Sequence, residues 1–145
     1  MRYILGVAVA AACLMPAGFF APAGAVGALA VGQTAAGVAR DGIAMGTAWN
    51  YDDQQVADSK ALENCHNYKS AQRAAKECKL VGAIKAKQCY AIAMDPKAGT
   101  PGVGWAIADD QDTAKSQALA NCKVTAGGAR ASFCSVSESN CDGKK

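Results

Sequence analysis

One pattern of apolar and polar positions occurs twice along the chain and predicts two equivalent helices. Residues 52–65 and residues 109–122 are identical at nine of fourteen positions. In both copies the apolar positions fall within one helical stripe: Ala57, Ala61, Leu62 and Cys65, and then Ala114, Ala118, Leu119 and Cys122. Alanine on this stripe predicts close packing against a sheet. A helix of about 14 residues needs such packing because it is marginal alone in water.

Apolar runs on either side of the two helices predict strands. They are residues 46–51, which carry Trp49 and Tyr51, and residues 79–84, 89–94, 103–108 and 131–137. Residues 37–45 predict a hairpin, because Asp41-Gly42 is a dipeptide that type I′ turns favour.

The connections are marked by capping and turn residues. Ser70 is positioned to cap a short helix over residues 71–76. Two prolines and two glycines indicate a loop over residues 95–102, and Gly127-Gly128 indicates a turn. Because loops on rigid scaffolds often carry binding, the 95–102 loop is the best candidate contact surface in the sequence.

The N-terminus is typical of a secretory signal peptide over residues 1–25. Arg2 is followed by an uncharged apolar stretch over residues 4–20 and then by small residues. Cleavage is predicted after Ala25, with Ala23 as the alternative site. An uncleaved membrane anchor is the competing interpretation. Residues 26–36 are small and glycine-rich without periodicity, and predict a flexible leader.

The predicted elements assemble into an α+β domain over residues 37–145. Each half contains antiparallel strands and one helix, with the halves over residues 37–88 and 89–141. Neither half has enough apolar surface to fold alone. We therefore expect a small disulfide-stapled domain of two pseudo-symmetric repeats that pack on each other.

Charge and hydropathy limit the classes of partner. The formal net charge is +3, and it becomes +2 when Arg2 is removed with the signal peptide. This balance is too weak to indicate nucleic acid or anionic lipid as a partner. After the signal peptide no apolar stretch is long enough to span a bilayer. We expect a secreted or periplasmic protein, a monomer or weak dimer, with an unknown protein or cell-envelope partner.

Six cysteines remain after Cys13 leaves with the signal peptide, and an even number in an exported chain indicates disulfides: Cys65, Cys78, Cys89, Cys122, Cys134 and Cys141. Six thiols allow fifteen pairings. The repeat favours Cys65 with Cys78 and Cys122 with Cys134, which leaves Cys89 and Cys141 to join the two halves. A zinc site is disfavoured, since no C-x-x-C spacing occurs and His66 is the only histidine.

Several residue pairs resemble catalytic groups but have simpler interpretations. Cys65-His66 would be a nucleophile and base only if Cys65 were reduced, so His66 is interpreted as an exposed residue after a helix. The pairs Asp52/Asp53 and Asp109/Asp110 are explained by helix capping rather than by a carboxylate dyad. Trp49 and Trp105 are either core residues or exposed anchors for a partner. No phosphate loop, dinucleotide fingerprint or nucleophile elbow occurs, so no cofactor is expected.

Short motifs in a fixed order make the chain resemble the secreted bacterial family called domain of unknown function 4189. These motifs are Gly37-Val38-Ala39 and Cys89-Tyr90-Ala91-Ile92-Ala93, the aromatic strands around Trp49 and Trp105, the Ala-Leu-x-x-Cys helix ends at Cys65 and Cys122, and Cys78-Lys79-Leu80-Val81. The resemblance covers residues 37–141. It implies a secreted domain and no established reaction.

Three functional hypotheses follow from the sequence. The first is a non-enzymatic exported module that binds a protein or an envelope component, an inhibitor or immunity protein being one form of it. The second is a small secreted hydrolase, which requires carboxylates from different elements to converge with raised pKa values. The third is a purely structural envelope protein without a tight partner.

Overall fold

The computed structural model describes residues 26–143, and this part of the chain begins with a buried strand. The strands are β1 Val26–Gly32, β2 Ala44–Tyr51, β3 Cys78–Ile84, β4 Cys89–Met94, β5 Val103–Ala108 and β6 Ser135–Cys141. The helices are α1 Val38–Asp41, α2 Gln54–His66, α3 Gln72–Ala75 and α4 Gln111–Ala126. Single 3₁₀ turns cover Lys69–Ala71 and Ala131–Phe133.

The strands form two antiparallel sheets of three strands, one in each half of the chain. The first sheet has the order β2-β1-β3 and the second the order β5-β4-β6. In each half the first strand therefore lies in the centre, the second pairs on one side, a helix follows, and the last strand pairs on the other side. The predicted α+β class with two pseudo-symmetric halves is confirmed.

The two sheets lie face to face between the two long helices, which gives four layers. On β1, Ala28 and Ala30 belong to a core cluster with α2, whereas Leu29 and Val31 belong to a cluster shared by both sheets. On β4, Ala91 and Ala93 pack with α4, whereas Tyr90 and Ile92 join the cluster between the sheets. Successive strand residues point to opposite faces, so small residues face each helix and large residues fill the space between the sheets.

Glycines on the second strand of each sheet let the helix approach closely. A Cβ atom on Gly46 would lie 2.1 Å from the Ala61 carbonyl oxygen, and one on Gly104 would lie 2.3 Å from the Ala118 carbonyl oxygen. These contacts make Gly46 and Gly104 equivalent positions in the two halves. The last strands agree as well, because both central strands have a register shift in the ladder with the last strand, at Leu29/Ala30 and at Ile92/Ala93.

Two predictions for the N-terminal part of the described chain were wrong. Residues 26–32 are not a flexible leader, because they form the central strand β1, which is paired on both sides. Residues 37–45 are not a hairpin. Val38–Asp41 forms the helical turn α1, and Gly42 has a positive φ of 74° after it. The first half therefore includes β1, and the predicted signal peptide over residues 1–25 lies outside the described residues.

Two local predictions further along the chain were also wrong. Ser70 lies inside a 3₁₀ turn and caps no helix, and the helix that follows covers only Gln72–Ala75. The last strand begins at Ser135 rather than at residue 131, because Ala131–Phe133 forms a 3₁₀ turn. The predicted loop at residues 95–102 and the turn at Gly127-Gly128 are confirmed.

Candidate functional site

The six cysteines form the three predicted disulfides, but one of them does not have the predicted role. Cys65–Cys78 joins the end of α2 to β3, and Cys122–Cys134 joins α4 to the segment before β6. Cys89–Cys141 joins directly opposed residues of β4 and β6. This third bridge lies within the second half, so the prediction that it joins the halves was wrong. The halves are held together by noncovalent contacts and by the chain connection at residues 85–88.

The Cys65-His66 pair is not a nucleophile and base. Cys65 is oxidised and wholly buried. His66 is exposed at the end of α2, and its Nδ1 lies 2.6 Å from the carbonyl oxygen of Ala75, which is the distance of a hydrogen bond donated by Nδ1–H. The histidine therefore ties the end of α2 to α3.

The paired aspartates begin the two helices as the sequence predicts. Asp53 Oδ1 accepts a hydrogen bond from the Val56 N–H at 2.9 Å, and Asp110 Oδ1 accepts one from the Thr113 N–H at 2.8 Å. Hydrogen bonds from the hydroxyl and the backbone N–H of Thr113 lower the pKa of Asp110. A lowered pKa favours the charged form, which suits a helix N-cap and not a general acid.

The 95–102 loop is held at its base by an ion pair. Arg130 donates from Nε to Asp95 Oδ2 at 2.7 Å and from Nη2 to Asp95 Oδ1 at 2.6 Å. The Asp95 side chain is wholly buried, and the Arg130 hydrogen bonds lower its pKa to about 2. The loop tip, Pro96–Gly99, is exposed. The ion pair therefore fixes the position of the loop on the surface, and its role as a contact surface stays a prediction.

An apolar groove of about 760 Å³ lies where the first half meets the second. One wall comes from the β1–β2 connection and includes Val38, and the other comes from β5 and α4 and includes Trp105 and Val124. The Val124 side chain is 81% exposed, the largest exposure among the large hydrophobic residues described. A groove of this volume lies within the range of ligand pockets.

The edge of β5 that borders this groove is already hydrogen-bonded. Asn121 donates from Nδ2 to the Trp105 carbonyl at 2.9 Å. Thr125 Oγ1 accepts from the Val103 N–H at 2.8 Å and lies 2.6 Å from the Val103 carbonyl oxygen. Side chains of α4 therefore cover the polar groups that an added strand would need. A ligand in the groove would therefore contact its apolar walls and would not pair with the edge of β5.

The two tryptophans do not occupy equivalent positions. Asn64 donates to the Thr47 carbonyl at 2.9 Å and Asn121 donates to the Trp105 carbonyl at 2.9 Å, so Trp105 corresponds to Thr47. The β2 segment contains an additional residue, which a register shift near Asn50, with a positive φ of 62°, accommodates. Trp49 packs in the core between the sheets, 5.9 Å from the ring of Tyr90. Trp105 contributes both to that core and to the groove wall.

A polar cluster that the sequence did not reveal connects the two sheets. Tyr90 is wholly buried, and its hydroxyl donates to Oε1 of Glu138. Thr47 of the first sheet donates to the same oxygen at 3.1 Å. Burial and the hydrogen bond to Glu138 raise the pKa of Tyr90 above its ordinary value, so its hydroxyl remains a donor.

A second polar contact between the halves involves the buried Asp142. Its Oδ1 accepts from the Asn50 N–H at 2.7 Å, and Asn50 Oδ1 accepts from the Gly143 N–H at 2.7 Å. Asp142 Oδ2 has no partner within residues 26–143. The pair fixes the end of β2 against the end of β6.

Together the fold and these sites define a disulfide-bonded α+β module of two similar halves with an apolar groove between them. The model of the family described as Domain of unknown function (DUF4189) matches residues 25–141, and the chain belongs to this family. No curated protein and no solved structure shows significant similarity to the chain. Over residues 26–143, no group of three potential metal ligands occurs and no helix is long and apolar enough to cross a membrane.

Proposed function

We propose that this protein is an exported, non-enzymatic binding module that holds a short apolar segment of a partner protein in the groove beside Trp105. The proposal rests on the groove, which has a volume of about 760 Å³ and walls that include Val38, Trp105 and Val124. A largely exposed valine beside an indole is costly to leave in water, and such patches often mark interaction sites.

The disulfides support both the export and the rigidity that the proposal requires. Three bridges in one small domain are typical of oxidising compartments outside the cytoplasm. The helix that forms one wall of the groove is fixed by the bridge at Cys122. A wall that does not have to become ordered on binding loses less conformational entropy, which favours affinity.

The carboxylate hydrolase receives no comparable support. Its mechanism needs a carboxyl group with a raised pKa. Among the described carboxyl groups with a clear shift, which are Asp41, Asp95 and Asp110, the pKa is lowered in every case. Each of these groups is explained by a cap or a local hydrogen bond.

The experiment places a charge in the groove without changing the core. Val124→Lys puts an ammonium group at an exposed position near the end of α4, where a cation is compatible with the helix dipole. Val56→Lys is the control for the added charge, since Val56 is 52% exposed on the other long helix and lies outside the groove lining. The tagged proteins are expressed in the parent cells, located by fractionation, and used for affinity capture from the exported fractions under non-reducing conditions.

We expect the wild type and the Val56→Lys control to be found outside the cytoplasm and to retain the same proteins. We expect Val124→Lys to lose at least one of them, with about a tenfold or greater loss of affinity for that partner once it is purified. Capture of the same set by Val124→Lys would contradict the groove as the binding site. Capture of nothing by the wild type would favour the purely structural role.

A further inference from the structure

A second cavity, of about 250 Å³, opens between the two sheets on the side away from Trp105. Its apolar lining consists of Met45, Ile92, Met94 and the ring of Tyr68, and its polar lining includes Thr47 and Glu138. At about 30 Å³ per water molecule, the cavity has room for roughly eight waters or a short aliphatic chain.

The corresponding place in the other half is built differently. Trp105 stands where the cavity has Thr47, as the two asparagine hydrogen bonds show. Gly82 is the residue of the first sheet that corresponds to Glu138. Gly82 pairs with Leu29 on β1, and Glu138 pairs with Ile92 at the equivalent position on β4. A Cβ atom on Gly82 would lie 2.6 Å from Cδ1 of Ile107, so no side chain fits there as packed. The carboxylate is thus a feature of one half only.

The carboxylate of Glu138 is held in position by two donors. The hydroxyls of Tyr90 and Thr47 both donate to Oε1. Within residues 26–143, Oε2 receives no hydrogen bond and no cation pairs with Glu138. Tyr90 is wholly buried and cannot rotate into solvent, so one oxygen is fixed and the other remains available to a ligand.

We propose that this cavity binds a primary alkylammonium group, with the ammonium at Glu138 and the aliphatic chain against Met45 and Met94. An ammonium donates charge-assisted hydrogen bonds to a carboxylate, which are stronger than neutral ones. Methionine side chains adapt their shape to a flexible chain more readily than branched residues do. The group belongs either to a free alkylamine or to a lysine side chain of another protein. This site is separate from the groove, and its occupancy does not depend on the proposed function.

The test follows the methyl resonances of Met45 and Met94 by NMR in the protein with its disulfides intact. The protein is titrated with n-butylammonium and, separately, with n-butanol, which has the same chain without the charge. We expect both methyl resonances to shift and saturate with n-butylammonium and to shift much less with n-butanol. Absence of a saturable shift, or equal shifts with the two probes, would overturn the proposal.

Two substitutions and one control locate the binding. Glu138→Gln keeps the shape and removes the charge, and we expect at least a tenfold loss of affinity for n-butylammonium, equivalent to about 1.4 kcal/mol. Glu77→Gln removes the same charge at an exposed position outside the cavity lining and is expected to leave the affinity unchanged. Equal affinities of Glu138→Gln and wild type would exclude Glu138 as the ammonium ligand.

Thr47→Trp introduces the residue of the other half and is expected to fill the cavity and abolish the shifts. If this variant does not fold, Glu138→Gln and its control still decide the proposal.

Titration with a blocked Gly-Lys-Gly peptide identifies the source of the ammonium. Tighter binding of the peptide than of n-butylammonium would indicate a lysine side chain, and weaker binding a free amine.

Discussion

At the scale of the residue, two glycines determine how closely the helices approach the sheets. At Gly104 an added Cβ atom would lie 2.3 Å from both the Ala118 carbonyl oxygen and the Cys122 nitrogen. Such contacts involve helix backbone, which cannot rotate away as a side chain can. The short distance between layers therefore depends on the absence of a single methyl group in each half.

We predict that Gly104→Ala lowers the free energy of unfolding by roughly 1–3 kcal/mol, since α4 must shift to accommodate the methyl group. Gly128→Ala is the control, because nothing lies within 4 Å of its Cβ position. Urea unfolding followed by tryptophan fluorescence measures both variants. Equal stabilities of Gly104→Ala and wild type would show that the helix is packed less tightly than described.

At the scale of the element, local signals in the sequence predicted the helices well and the first strand poorly. Asp53 and Asp110 cap α2 and α4, and the alanine stripes face the sheets, because both effects act within a few residues. Strand β1 carries no alternation of polar and apolar residues, since it is buried on both faces. Small residues in such a strand cannot be distinguished by pattern from a flexible segment.

The 95–102 loop shows how one ion pair fixes an element that is irregular in sequence. Asp95 is ionised in the folded protein to about pH 2, whereas an unfolded Asp titrates near 3.9. Between these two pH values the unfolded chain binds a proton at Asp95 and the folded chain does not, so the contribution of Asp95 to stability is present above about pH 4 and is lost as the pH falls towards 2.

We predict that Asp95→Asn lowers stability at neutral pH and reduces the loss of stability between pH 4 and pH 2. Asp52→Asn provides a control in which an exposed carboxylate without an ion pair is removed. Thermal unfolding measured at intervals between pH 2 and pH 7 tests the prediction. An Asp95→Asn variant with the same acid dependence as wild type would contradict it.

At the scale of the whole molecule, the core between the sheets joins the two halves. Residues of both sheets, among them Leu29, Ile84 and Ile92, form this cluster, and Asn50 with Asp142 adds a polar contact at one side.

The sequence indicated two halves and the three cysteine pairs, because the repeat makes these visible. It did not reveal the Tyr90–Glu138–Thr47 cluster, whose members are 43 to 91 residues apart. Such contacts arise only from the stacking of the sheets.

We predict that cutting the chain between β3 and β4 produces two polypeptides that share no covalent bond but remain associated. Lys85 and Lys87 in this turn are exposed, so brief treatment with trypsin is expected to cut there. Gel filtration should then show one particle of unchanged size, and a denaturing gel without reductant should show fragments of about half the original mass. Cut protein that keeps its full mass on that gel and falls to half the mass only after reduction would mean that a disulfide joins the two halves.

The placement of Cys89–Cys141 within β4 and β6 means that each piece oxidises its own thiols and needs no cysteine from the other. The two fragments, produced separately, should therefore reassemble on mixing, as a reversible heterodimer whose formation depends on concentration. In effect the backbone between them acts as a tether that raises the local concentration of one partner around the other.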